Sequence, residues 1–246
     1  MSVLDDRAAD RHPGPHRPAR RAVPRHAVLL VPAALVLLAG LDAALQLMDL
    51  PAPISSARLP DVHGPLLVLG FLGTLISLER AVALGRAPGF LAPTLLGVGG
   101  LLLLGPTPLR AGQWLLVAGA ATLVAVYVPL WHRQRDDAVL VQALAAVMAG
   151  GAALLWVGGV AVPDLFPWLA GFAVLTIAGE RLELARLTMG PRAGVVLVSL
   201  GVAFCACAVA ALLWPAVGHP MLGAAVLALV GWLARHDVAR RTVHAS

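Results

Sequence analysis

The chain has 246 residues, 59% of them hydrophobic and only 13% charged, with a formal net charge of +5 and a mean hydropathy of +0.85. A soluble domain is about half apolar and about a quarter charged. The composition therefore excludes an ordinary soluble enzyme and a disordered chain, and two cysteines exclude a disulfide scaffold. What remains is an all-α membrane protein that crosses the bilayer repeatedly.

Residues 1–25 are rich in Arg, Pro and His and have no apolar period. They read as a disordered basic cytoplasmic tail that meets anionic lipid headgroups. A signal peptide also places basic residues before an apolar stretch, but the stretch that follows is long enough to span and has a counterpart later in the chain. A bilayer core about 30 Å thick takes roughly 20 apolar helical residues to cross. Eight stretches qualify: 27–48, 64–85, 90–106, 112–131, 138–160, 165–186, 193–214 and 218–234. Pro51-Ala52-Pro53, Pro88-Gly89, Pro106-Thr107-Pro108, Pro163, Gly190-Pro191 and Pro215 separate them, as helix-stop and turn residues should.

All 18 basic residues are Arg. With the N-terminus inside, every one except Arg58 and Arg110 falls in an inner tail or loop, so the positive-inside rule places both termini in the cytoplasm. Trp114, Trp131, Trp168, Trp214 and Trp232 fall near span ends and Trp156 deeper, the pattern of an aromatic belt. The missing Lys and the Ala/Arg bias point to a GC-rich bacterial genome, hence to the bacterial cytoplasmic membrane. The arginines are spread over loops and not gathered on one face, which argues against a nucleic-acid partner.

The chain matches itself. Gly70-Phe71, Ile76 and Glu79-Arg80 recur with one spacing as Gly171-Phe172, Ile177 and Glu180-Arg181. Upstream, Pro60-Asp61 faces Pro163-Asp164, and Ala27-Val28-Leu29 faces Ala138-Val139-Leu140. The simplest reading is two four-helix repeats, 26–133 and 137–237. Each crosses an even number of times, so both enter from one face and the repeats are parallel, related by a pseudo-twofold along the membrane normal.

The second span is uncharged from Gly64 to Leu78, roughly 22 Å of helix at about 1.5 Å per residue. That falls short of the apolar thickness, so both Glu-Arg dipeptides are expected just inside the cytoplasmic boundary. Adjacent helical residues diverge by about 100°, so pairing across the pseudo-twofold is the expectation: Glu79 with Arg181 and Glu180 with Arg80. Glu183 and Arg186 can pair on one face. These charges read either as interhelix clamps or as a proton or ion site lining a cytoplasmic vestibule. Toward the outer face, Asp42 lies within the first span, Gln46 is one turn on, and His63 opens the second span. Asp42 faces Ala153 in the second half, so one outer ligand or proton site is expected, not two. Cys205 and Cys207 diverge on the seventh span and read as buried packing residues.

His63-Gly64-Pro65-Leu66-Leu67, opening a span from the outer side, resembles the second helix of haem–copper oxidase catalytic subunits. Gly70-Phe71 after it is similar to the nitric-oxide-responsive haem and copper membrane proteins of the NnrS type. The resemblance covers about ten residues and implies haem, with His63 as a metal ligand; His219 is the other outer histidine. Three functions follow from these readings. One is a small-solute or ion permease, or a ligand-handling protein, using intramembrane acids. The second is a haem- or copper-linked redox or sensing protein. The third is a structural subunit of a membrane complex, with a homo-oligomer or a membrane partner. No phosphate loop, Gly-x-Ser-x-Gly or His-Glu-x-x-His is present, so no catalytic residue is nominated.

Overall fold

The computed structural model describes residues 25–54, 56–185, 189–190 and 192–236. The basic tail up to residue 24 lies outside them, as does Arg186 with its expected pairing to Glu183. All regular structure among the described residues is helical, and eight helices are long and apolar enough to cross a membrane. The first is α1 (Leu30–Leu47), entered through a short 3₁₀ turn. The second is continuous through α2 (Arg58–Pro65), a π segment (Leu66–Leu72) and α3 (Gly73–Leu84). The others are α4 (Leu91–Leu104), α5 (Leu109–Gln134), α6 (Asp137–Val157), α7 (Phe166–Leu184), α8 (Ala193–Leu213) and α9 (Pro215–His236).

Helices satisfy their own backbone groups, which is why they are the structure apolar segments of this length adopt in lipid. Their ends are set by local chemistry. Gly85 closes α3 with a left-handed φ of 67° and donates its N–H to Ala81 O and Val82 O, a conformation that disfavours residues with a Cβ. Asp136 caps α6 by accepting from the Ala138 N–H at 3.0 Å, an interaction worth about 1 kcal/mol.

The second span begins at Arg58, earlier than the expected 64, so His63 sits inside the helix and does not open it. Pro65 is also internal. It has no N–H to offer the preceding turn. The helix widens directly after it, and the Gly73 N–H bonds five residues back to Val68 O. Proline is a helix-stop signal in water, but the packed neighbours of a membrane helix can re-satisfy the freed groups.

Small residues then let helices touch. A Cβ on Gly70 would lie 2.8 Å from Val36 Cγ1 and 3.3 Å from Gly100 Cα, so the second and third spans meet almost backbone to backbone. α6 is central and packs on α5, α7 and α8, whereas α9 packs mainly on α8. Leu66, Leu69, Leu96, Leu116, Phe172 and Phe204 are fully enclosed. Val28, Leu35, Leu38, Phe166, Leu213 and Leu227 are exposed, an apolar surface suited to lipid and unlike that of a soluble monomer.

Candidate functional site

The contacts define two ends of the bundle. At one end lie the last turns of α3, α5, α7 and α9 and the first turns of α4, α6 and α8. There the Arg133 guanidinium donates to Ala83 O and Leu84 O at the end of α3, at 3.5 and 3.4 Å. At the opposite end the Arg58 guanidinium donates to Gly105 O and to Thr107 O, the latter at 2.8 Å.

The centre of the first end is Arg80, only 9% exposed. Its Nη2 pairs with Glu79 Oε1 at 2.5 Å. Its Nη1 donates to Gln142 Oε1 at 3.1 Å and lies 3.6 Å from Glu183 Oε2. The Gln142 amide in turn donates to Glu183 Oε2 at 3.5 Å. Half-buried Glu180 and buried Tyr127 lie within electrostatic range of Arg80, Glu79 and Glu183. One cation therefore stands among three carboxylates, and its Nε is buried without an acceptor. Gln142 reaches Arg80 because Gly179 makes room: a Cβ there would meet Gln142 Cγ at 2.6 Å and Ala138 O at 3.1 Å.

This arrangement differs from the expected one. Arg80 pairs with its own neighbour Glu79 and with Glu183, and the pairs Glu79–Arg181 and Glu180–Arg80 are not formed. The divergence of adjacent residues holds at Cα, but the long Arg side chain bends far enough to cancel it. Arg181 is exposed and forms no ion pair among the described residues. Gln142 and Tyr127 belong to the cluster and were not among the expected site residues. The signal was available: a lone amide inside the apolar α6, and the only tyrosine in the chain.

At the other end, Asp42 is 5% exposed and both its carboxylate oxygens are engaged. Gln46 Nε2 donates to Oδ2 at 2.8 Å and the Ile54 N–H donates to Oδ1 at 3.1 Å. Gln46 Nε2 also donates to Ile54 O at 2.6 Å, and Gln46 Oε1 accepts from the Ser56 N–H at 3.5 Å. Asp42 and Gln46 thus hold the loop between the first two spans against α1. Hydrogen bonds to a charged group contribute about 1.5–3 kcal/mol each, which accounts for a carboxylate at this depth.

His63 Nδ1 lies 3.0 Å from Gly40 O, tying the second span to the first. The ring lines a cleft of about 610 Å³ between Pro60 and Asp61 on one side and Val162, Pro163 and Phe166 on the other. His219 is exposed in a second cleft of about 740 Å³ that shares Pro163 and Phe166 with the first, and neither cleft is lined by both histidines. Cys205 and Cys207 are free thiols, the first half-buried and the second buried. Among the described residues no group of three or more His, Cys, Asp or Glu is placed to hold a metal ion.

Residues 25–246 match the family described as a domain of unknown function, DUF8744, and the chain belongs to that family. No curated protein and no solved structure matches it.

Proposed function

We propose that this member of the DUF8744 family is a small-solute or ion permease of the bacterial cytoplasmic membrane, with both termini in the cytoplasm. We read it as two parallel four-helix repeats that meet at the Arg80 cluster. The supporting observation is a nearly enclosed arginine shared between the two halves of the chain. Glu79 holds it from its own half, and Gln142 and Glu183 hold it from the other.

A charge at this depth is costly unless paired, and such residues mark ion or proton pathways by default. The Glu79 and Glu183 side chains are 59% and 43% exposed, so they form the mouth and Arg80 the floor. A proton or cation reaching one carboxylate weakens its hold on the guanidinium, which then shifts to another. Glu180 stands ready as the alternative partner. Asp42, fully engaged with its loop, is a fastener in this reading and not a proton site.

Orientation rests on the arginines. Arg86, Arg133, Arg135, Arg181, Arg192 and Arg235 accompany Arg80 at one end, against Arg58 and Arg110 at the other, the bias of a cytoplasmic face. For the repeat, the self-match of the second and sixth spans is joined by their meeting in one cleft at their outer ends. Gly70 follows Asp61 by nine positions and Gly171 follows Asp164 by seven. The π segment in the second span, absent from α7, takes up part of that difference.

The test is proton flux into proteoliposomes carrying an internal pH-sensitive dye, driven by a potassium diffusion potential. The wild type should exceed protein-free vesicles, and E180Q should lower the flux about tenfold while the protein still inserts. Wild-type flux equal to that of empty vesicles would remove the proton-coupled reading.

His63 supports a second reading, a haem-linked redox or sensing protein. With Nδ1 held by Gly40 O, Nε2 is the nitrogen left to ligate, the arrangement that orients metal-bound histidines. The adjoining wall includes Leu47, Phe166 and Leu169, which suits an apolar macrocycle. His63 would hold the iron of such a group through Nε2. Purified protein from haem-replete cells should then show a Soret band that H63A abolishes; colourless wild-type protein would end the reading.

A further inference from the structure

We infer that the cleft between the start of α8 and the end of α9 is a binding site for the anionic phosphate of a phospholipid headgroup. The cleft has a volume of about 660 Å³ and is lined by Arg192 and Val196 from one helix and by Trp232, Arg235 and His236 from the other. Both guanidinium side chains are exposed, and among the described residues no carboxylate lines the space. Two arginines facing one cavity without an acid supply the paired, charge-assisted donors that phosphate oxygens accept best.

The wall behind them is built. Trp232 is 6% exposed. Its ring stacks on His236 with centroids 4.5 Å apart and planes at 26°, and His236 Nδ1 lies 2.8 Å from Trp232 O. The Trp232 indole N–H is buried without an acceptor, so the platform carries an unpaired donor. The first turn of α8 adds the partial positive charge of a helix start. Among the described residues, Asp137 packs against Gly194 and is not in the lining of the cleft.

Location selects a lipid over a soluble phosphate. The cleft lies at the Arg80 end of the bundle, where an indole and arginines at the ends of membrane helices mark the headgroup level. Val195, Val196, Leu227 and Val230 are exposed along the same two helices, giving acyl chains an apolar track below the phosphate. Basic pockets between membrane helices on the cytoplasmic side hold anionic headgroups for this reason. The inference uses no residue of the Arg80 cluster and stands apart from the permease reading.

The experiment is thermal unfolding of the full chain in detergent, with added phosphatidylglycerol, phosphatidylcholine or inorganic phosphate. Phosphatidylglycerol should raise the wild-type Tm by about 5 °C. The double variant R192Q/R235Q should lose more than half of that shift, and phosphatidylcholine should move both proteins equally. If the double variant does not fold, R235Q alone carries the same comparison with a smaller loss. Three results would overturn the inference. One is a wild type that does not distinguish the two lipids. Another is a folded variant with an undiminished shift, which would place the lipid elsewhere, as on the basic tail. The third is inorganic phosphate reproducing the full shift.

Discussion

The chain carries one dipeptide twice, and the two copies meet opposite fates. Arg80 is 9% exposed and tied to three residues on two other parts of the bundle and its own helix, whereas Arg181 is exposed. Their immediate sequences do not differ enough to explain this. The difference lies in what faces them. Gln142 and Glu183 supply acceptors to Arg80. In the register of the self-match, the positions that would serve Arg181 hold Val31 and Val82, both exposed apolar residues. Gly179, which lets Gln142 approach, corresponds to Leu78 in the first half. The same dipeptide is therefore enclosed in one place and exposed in the other according to what its neighbours supply.

The sharpest way to break this comparison is R80L. It leaves the buried Gln142 oxygen without its donor and the half-exposed Glu79 and Glu183 without their shared cation, together a loss of about 3 kcal/mol. The Tm should fall by roughly 6–12 °C, read by thermal unfolding in detergent; a fall of under 2 °C, on the same scale, would show that the cluster carries no structural weight. G179A comes next. Its methyl would press on Gln142 Cγ and Ala138 O, and overpacking of this kind costs about 1–3 kcal/mol. Cross-linking between cysteines placed on α6 and α7 should also weaken. An unchanged cross-link would mean that the helices do not need the glycine.

A milder effect is expected from D42N at the other asymmetric position, where the second half has Ala153. The new amide keeps an acceptor for the Ile54 N–H but sets a donor against Gln46 Nε2, at a cost of about 1 kcal/mol. Limited proteolysis should cut the loop around Ile54 faster, with proton flux intact; abolished flux would return Asp42 to the pathway. The smallest effect belongs to R181L, which should stay within about 0.5 kcal/mol of the wild type. A loss as large as that of R80L would show that the two copies are equivalent after all.

The spans were legible because each is a local matter of about 20 apolar residues in a row. Their ends shifted by a few positions, mainly where Pro65 sits inside a helix and does not stop it. The dipeptides were also visible, since charge stands out in an apolar chain. The pairing was not, because helical geometry at Cα says little about where a long guanidinium settles. Asp42 and Gln46 were found as a pair, but their partners Ile54 and Ser56 come from a loop whose return to α1 no periodicity reveals.

By itself, the sequence determined that the chain forms eight apolar helices, where the charges lie along them, and which end of each helix is basic. These follow from residue counts within single segments, and lipid leaves such segments no other backbone solution. Only the tertiary structure decided which arginine is enclosed, which acids it holds, and that Arg192 and Arg235 border one cleft. Those outcomes depend on side chains from helices distant in the chain arriving at one place, and on the small residues that let them come close.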